Sequence, residues 1–260
     1  MKESWWITMK IAVITGASSG MGRDFVYAID KEYALDEIWV IARREERLIE
    51  LQSACKAKIR PLALDLMLRN SFNAYKELLE NLNPEIQVLV NGAGFGLFGE
   101  FMKMDLDKQL DIIELNTKAL TAMCYLSIPY MPEGSHLVNL ASNSSWQPVP
   151  YINVYGSSKA YVLNFSRALG VVLKGRKIHV MAVAPGWIKT EFFEHAVHDD
   201  TIKYYDRFYT SEQVVDRAMK DMKKGKSVSI MGFPVRMQVR MVKLLPVKWI
   251  MGIWCKQQGW

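Results

Sequence analysis

Tyr155 and Lys159 stand four residues apart in Tyr155-Gly-Ser-Ser-Lys159. On a helix that spacing brings a phenol and an ammonium to one face. A tyrosine at its reference pKa near 10 is a poor base at neutral pH. A cation about 4 Å away, at an effective dielectric near 20, favours the phenolate by up to about 4 kcal/mol, as much as ~3 pKa units. Such a pair serves as general acid when a carbonyl is reduced and as general base in the reverse direction. The spacing alone is weak, because Tyr27 and Lys31 repeat it in a stretch with no polar partners behind it. What separates Tyr155 is Ser142, which ends an apolar run shortly before it, where a hydroxyl can hold a substrate oxygen beside the phenol.

A second constellation lies near the N-terminus, where Thr15-Gly16-Ala17-Ser18-Ser19-Gly20-Met21-Gly22 follows a β-branched run and opens a helical pattern. A glycine-rich turn there lets backbone N–H groups approach a pyrophosphate, and the helix N-terminus adds partial positive charge. Gly16 allows the tight turn, Gly20 removes a side chain near the phosphates, and Gly22 permits close helix–sheet contact. Ser18, Ser19 and Met21 fill the turn between them. A carboxylate about 20 residues past the last glycine would hold the adenosine ribose hydroxyls and repel a 2′-phosphate. This chain has Ala42, Arg43 and Arg44 there, so the spacing favours NADP(H) over NAD(H). Arg43 and Arg44 also suit the start of a solvated helix. Asp65, after the third apolar run, is placed to meet the adenine edge and equally suits a surface turn.

These residues need elements to position them. Lys10–Thr15, Glu37–Ala42, Lys58–Leu64, Ile86–Val90, Ser135–Ala141, Lys177–Val183 and Lys226–Met231 read as seven strands. Their near-continuous apolar character is what a mostly parallel sheet covered on both faces requires. Helical patterns run over about 19–31, 45–56, 70–82, 105–130, 153–173 and 211–224. The alternation predicts an α/β fold: a single doubly wound domain over 1–260, helices on both faces, with right-handed crossovers. Residues 184–209 lack periodicity and follow the carboxyl end of a strand, as a substrate lid would. Residues 235–260 form a basic, apolar tail interrupted at Pro246.

In this order of motifs the chain resembles the short-chain dehydrogenase/reductase family, from Lys10 to about Met231. The resemblance rests on the glycine turn, Asn91-Gly92-Ala93-Gly94, Asn116, Ser142, Tyr155/Lys159, and Pro185-Gly186 with Thr190. It implies a Rossmann-type fold with Tyr155 as acid/base and Lys159 also binding the nicotinamide ribose. It implies Ser142 as the substrate-orienting residue and Asn116 as the anchor of a proton-relay water. Thr190 would meet the carboxamide or pyrophosphate, and Leu66, Asn91, Gly92, Ala93, Pro185, Gly186 and Ile188 would lie along the cofactor. The family usually has a second Asn where this chain has Gly92-Ala93, a departure that bears on a sheet-bracing hydrogen bond and not on the reaction.

The surroundings of that site are apolar. Phe95, Trp146, Trp187 and Phe192 are expected beside Ser142 and Tyr155 around the substrate, which favours a hydrophobic ketone or secondary alcohol. By resemblance this is a hydroxysteroid or bile acid; the alternatives are a long-chain 3-oxoacyl group or a non-catalytic NADP(H)-binding redox sensor. The chain's 260 residues, 50% hydrophobic and 23% charged, exclude a disordered or collagen-like chain. Three widely spaced cysteines suit neither a metal pattern nor a disulfide set and point to a reducing cytoplasm. No metal is expected, and His195 and His198 read as a solvated loop pair. No secretory signal is expected at the N-terminus, where Met9 competes with Met1 as the start. From Lys220 onward nine basic residues face the single acid Asp221, exceeding the whole chain's net +6. The basicity therefore belongs to the tail, which argues against a nucleic-acid partner. The tail is expected to pack over the pocket or on a partner subunit, with peripheral membrane contact as the competing use. A homo-oligomer through 105–130 and 153–173 follows from the resemblance only.

Overall fold

A computed structural model describes residues 8–197, 199 and 201–260 of the chain. The reading of Met1 as the start and the His195/His198 pairing each involve a residue outside that range. Six strands form as the apolar runs predict: β1 (Lys10–Thr15), β2 (Glu37–Ala42), β3 (Lys58–Ala63), β4 (Glu85–Asn91), β5 (His136–Leu140) and β6 (His179–Val183). Two short strands, β7 (Trp187–Ile188) and β8 (Phe208–Tyr209), pair with each other, and β9 (Val228–Ser229) closes the main sheet. That sheet has the order β3-β2-β1-β4-β5-β6-β9 with every pair parallel.

Helices cover both faces. Alternation along β1 sends Ala12 and Ile14 to one side, against Phe25 and Val26 of α1 (Gly20–Glu32) and Val215 and Met219 of α8 (Ser211–Lys223). Ile11 and Val13 go to the other, with Tyr75 of α3 (Arg69–Leu82), Met123 of α5 (Leu120–Ser127) and Val162 of α6 (Asn153–Val172). Both faces of β1, β2, β4, β5 and β6 are largely buried, which is why the sequence shows unbroken apolar runs there instead of alternation. The order reverses between β1 and β4, so their carboxyl ends flank a crevice, where open α/β sheets bind ligands.

Three expected elements differ. The helix at 45–56 is α2 (Glu45–Ile49) followed by a 3₁₀ turn. The helix at 105–130 is α4 (Leu106–Ile113) and α5, joined by a π-helical segment, Glu114–Ala119. The expected strand Lys226–Met231 shrinks to β9, an edge strand that pairs with β6 at only two positions. Asp221 pins the chain there, accepting from Lys226 Nζ at 2.7 Å and Ser229 Oγ at 2.9 Å.

Within 184–209 the described residues carry three short elements, β7, α7 (Glu191–Ala196) and β8, with irregular chain between α7 and β8. The tail folds into α9 (Phe233–Val242) and α10 (Val247–Gln258), with Pro246 at the start of α10. Trp254 Nε1 donates to the Pro150 carbonyl at 3.2 Å. Gln258 accepts from the backbone of Lys203 and Tyr204, both at 2.9 Å, and so ties α10 to the segment before β8.

Candidate active site

The candidate catalytic residues are set by two local structures at the carboxyl end of β5. Ser142 opens a 3₁₀ turn, Asn143–Trp146, and its Oγ accepts from the Ser144 N–H at 3.2 Å. Ser145 Oγ accepts from Ser142 N–H at 3.2 Å and donates to the Lys159 carbonyl at 2.8 Å, locking the turn to α6. One helical turn apart on α6, Tyr155 and Lys159 face the same cavity. Its floor needs glycine: a Cβ on Gly96 would stand 2.7 Å from the Tyr155 ring, and one on Gly94 would stand 2.8 Å from Asn116 Oδ1.

Burial decides the electrostatics of the pair. Lys159 Nζ is buried, donates to the Leu140 carbonyl at 2.8 Å, and lies 5.8 Å from the centre of the Tyr155 ring. Desolvation lowers the Lys159 pKa to about 8. Desolvation also pushes the Tyr155 phenol up to about 12, with the Ser142 hydroxyl pulling the other way. The expected downward shift of Tyr155 by a cation about 4 Å away is therefore not found among these groups. At neutral pH the phenol holds its proton, the form a general acid requires.

Asn116 sits in the π segment, buried, with its amide turned back on the loop after β4. Its Oδ1 accepts from Phe95 N–H at 3.1 Å, and its Nδ2 donates to the Phe95 carbonyl and Ser158 Oγ, both at 3.0 Å. The wider turn presents this amide to the loop, in keeping with the occurrence of π-bulges at functional sites. Asn116 does not itself face the cavity.

The glycine turn is built as its spacing requires. Gly16 has φ +70° and Gly20 φ +51°, and a Cβ on Gly16 would stand 2.7 Å from the backbone of Gly92 and Ala93. Thr15 Oγ1 accepts from Gly92 N–H at 3.0 Å and Ala93 N–H at 3.1 Å, joining the two turns across the β1/β4 crevice. Arg44 reaches over it, donating to Ser18 Oγ at 3.2 Å, Ser19 Oγ at 3.3 Å and Glu191 Oε2 at 3.1 Å. Arg47 binds the other oxygen of Glu191 at 2.6 Å, and these two guanidiniums hold the Glu191 carboxyl below its usual pKa. Arg43 is exposed at the same rim. Asp65 faces the cavity while its Oδ1 accepts from the Met67 N–H at 3.0 Å, so it also closes its own turn; Leu66 is buried beside it.

One cavity of about 990 Å³ joins these parts. It brings together Gly16 through Gly22 (Ala17 excepted), Arg43, Arg44, Asp65, Leu66, Gly92, Ala93, Ser142, Tyr155, Lys159, Pro185, Gly186, Ile188 and Thr190. On its substrate side are Phe95, Trp187 and Phe192. The Tyr155 ring meets Phe192 at 5.4 Å and Phe98 at 5.7 Å between centres.

Besides Asn116, two expected residues face elsewhere. Strand alternation turns Asn91 inward, where its Nδ2 donates to Asn139 Oδ1 at 2.8 Å, so this residue itself braces β4 to β5. Trp146 lies outside the cavity and instead lines a second cleft, with the Arg167 guanidinium and the Lys243 ammonium over its ring.

The sequence reading left other contributors unassigned. Val235, Val242 and Leu245 of α9 and its following turn, with Ile250, Ile253 and Trp254 of α10, close the cavity from above. Their signal was the apolar spacing of the tail, whose destination periodicity does not give. His195, expected in a solvated loop, also lines the cavity. Among the described residues no group of three or more His, Cys, Asp or Glu could hold a metal, and no helix is long and apolar enough to cross a membrane.

The family model for short chain dehydrogenase matches residues 10–201. Sulfoacetaldehyde reductase 2 of Chromohalobacter salexigens is 35% identical over 193 residues, spanning 70% of this chain and 74% of that protein. The 17-beta-hydroxysteroid dehydrogenase type 3 of Danio rerio is 29% identical over 229 residues, 83% of this chain and 71% of that protein. A short-chain dehydrogenase from Sphingobium yanoikuyae, solved in complex with NADPH, superposes with a TM-score of 0.76 at 25% identity, covering 90% of this chain and 92% of that one.

Proposed function

The chain belongs to the short-chain dehydrogenase family, and on that premise we propose that it is an NADP(H)-dependent oxidoreductase interconverting a hydrophobic ketone and its secondary alcohol, with a hydroxysteroid or bile acid as the favoured class. The observation that carries this reading is the single cavity. At one end Arg44 stands over Ser18 and Ser19; at the other, Tyr155 and Ser142 stand beneath an apolar roof. Relatives that bear on it are the NADPH complex of the Sphingobium yanoikuyae protein and the hydroxysteroid dehydrogenase of Danio rerio.

The residues fit a dinucleotide. Gly16 and Gly20 would let the pyrophosphate approach backbone N–H groups at the start of α1. Arg44, with Arg43 at the rim, would receive a 2′-phosphate. Thr190 and Ile188 would border the nicotinamide end, with Lys159 at its ribose. The bound cofactor supplies the hydride chemistry. The protein supplies orientation and a proton: Ser142 holds the substrate oxygen, and Tyr155 donates its phenolic proton to that oxygen in reduction, or takes it back in oxidation. Lys159 and Asn116 support the return of the proton. Residues 184–209 act as the substrate lid, and the whole chain works as one domain in the cytoplasm. Exposed Leu106, Leu110, Tyr125, Val171 and Val172 on α4, α5 and α6 favour a homo-oligomer. The tail serves chiefly as the roof; its exposed Leu244 and Trp249 favour peripheral membrane contact as an additional use.

A long-chain 3-oxoacyl substrate is the second reading, favoured by the apolar side chains Val242, Leu245, Ile250 and Ile253 that the tail adds to the cavity. Absorbance of reduced nicotinamide, followed with NADPH and NADH across oxo-steroids, long-chain 3-oxoacyl esters and small ketones, tests all of this. NADPH-specific consumption with an oxo-steroid is expected. Consumption only with the acyl esters selects the second reading, and NADPH binding without turnover on any ketone selects a redox sensor.

A further inference from the structure

The face of α9 turned away from the cavity carries Arg236, Arg240 and Lys243 at i, i+4 and i+7. With Arg167 of α6, Trp146 and the edge strand β9, they bound a separate cleft of about 570 Å³. The Arg167 guanidinium carbon and the Lys243 ammonium each lie 4.4 Å from the centre of the Trp146 ring. Two cations drawn to one ring gain cation–π attraction and repel each other.

No carboxylate relieves that repulsion. Arg23, Arg44, Arg47, Arg60 and Arg217 each have an acidic partner. Among the described residues, Arg167, Arg236, Arg240 and Lys243 have none within ion-pair distance. Arg236 reaches only the Ile230 carbonyl, at 3.3 Å, and Arg240 only Met237 Sδ, at 3.8 Å. Lys226, the fifth cation of the cleft, is already paired with Asp221 at 2.7 Å. Burial lowers the Arg167 pKa. The Trp146 Nε1 donor is buried with no acceptor. Several donors, no acceptor and uncompensated charge describe a site for an oxyanion.

We propose that this cleft binds a phosphate group, held by Arg167, Arg236, Arg240 and Lys243. Three guanidiniums and an ammonium exceed what one carboxylate can accept, and they match a phosphate with several oxygens and close to two charges. The site is distinct from the catalytic cavity, across α9 from Val235 and Val242, yet it is joined to it. Trp146 ends the turn that Ser142 begins, and Asn143 Nδ2 donates to Gln238 Oε1 of α9 at 3.1 Å. A bound phosphate would hold α9, part of the roof, against that turn. The group has two sources, a soluble phosphate ester or the headgroup of an anionic lipid. Leu244, 84% exposed next to Lys243, suits the second.

The test titrates the full chain calorimetrically with inorganic phosphate and glycerol phosphate, and by co-sedimentation with phosphatidylcholine vesicles with and without phosphatidic acid. The proposal expects saturable binding that Arg236→Gln/Arg240→Gln weakens at least tenfold and that Arg44→Ala leaves unchanged. Arg240 is exposed and Arg236 only partly buried, so circular dichroism of the double variant should match the parent; Lys243→Gln is the second variant should it not. Binding to the soluble ions assigns a soluble ester, and binding only to phosphatidic acid vesicles assigns the headgroup. Phosphate binding lost in Arg44→Ala and kept in the double variant would overturn the proposal. So would equal binding to both kinds of vesicle without binding of the soluble ions, or binding of none of these probes.

Discussion

At the residue scale, the proposed preference for NADP(H) rests on Arg44. It was legible as a type and a spacing, but the sequence could not show that Glu191, far along the chain in α7, shares its guanidinium. Arg44→Asp removes the donor and adds repulsion toward a 2′-phosphate. Charge-assisted hydrogen bonds contribute on the order of 1.5–3 kcal/mol each, so NADPH affinity should fall about 10- to 100-fold while NADH affinity changes little. Glu191→Gln should move the other way, because it frees Arg44 and Arg47 from a competing anion. Fluorescence titration with both cofactors checks the pair, and an unchanged NADPH/NADH ratio in Arg44→Asp would remove Arg44 from the account. The Tyr155–Lys159 spacing was equally plain, but its electrostatics were not. Pair distance is only half of the balance, and burial, which raises the phenol and lowers the ammonium, is a tertiary property.

At the scale of elements, the strands and the glycine turn were legible because their signals are local: apolar runs of strand length, and glycines where φ is positive. The π segment in the expected helix was not legible, since an extra residue per turn leaves the apolar pattern almost intact while re-aiming Asn116. Nor was the shortening of β9, which follows from its edge position and the Asp221 network. The β5–β6 pairing brings His136 and His179 into register, their rings stacked 5.3 Å apart, with Tyr33 Oη 3.4 Å from His136 Nδ1. Desolvation, with the neighbouring His179, lowers the His136 pKa from 6.5 to about 4. Between those values the unfolded chain binds more proton than the folded one, so stability falls as pH drops from about 6.5 toward 4. The melting temperature of the parent should fall relative to that of His136→Gln as pH drops across that window. Parallel curves would mean that His136 titrates alike in both states.

At the scale of the molecule, six of the seven strands of the main sheet, the glycine turn and the Tyr155–Lys159 pair lie in the matched family region, while the roof is built by the tail beyond it. The tail's apolar spacing was visible, but whether it covers the pocket, a subunit or a membrane depends on where the chain sends it. A chain ending before Val247 loses Ile250, Ile253 and Trp254 from the cavity and the Gln258 tie to Lys203 and Tyr204. Losing contact with one or two such side chains, at about 1.5–3 kcal/mol each, should raise KM for a bulky ketone roughly tenfold or more. KM for a small ketone and affinity for NADPH should stay near the parent values, and an equal rise for both ketones would deny α10 its place as roof.

The measurement that bears most directly on the central claim compares NADPH consumption by the parent chain and by Tyr155→Phe, with the best ketone of the panel and with NADPH binding followed in parallel. Tyr155 as proton donor predicts a fall in kcat of about 10²- to 10⁴-fold with cofactor affinity nearly unchanged. Turnover at the parent rate in Tyr155→Phe would contradict it, leaving the cavity without its acid.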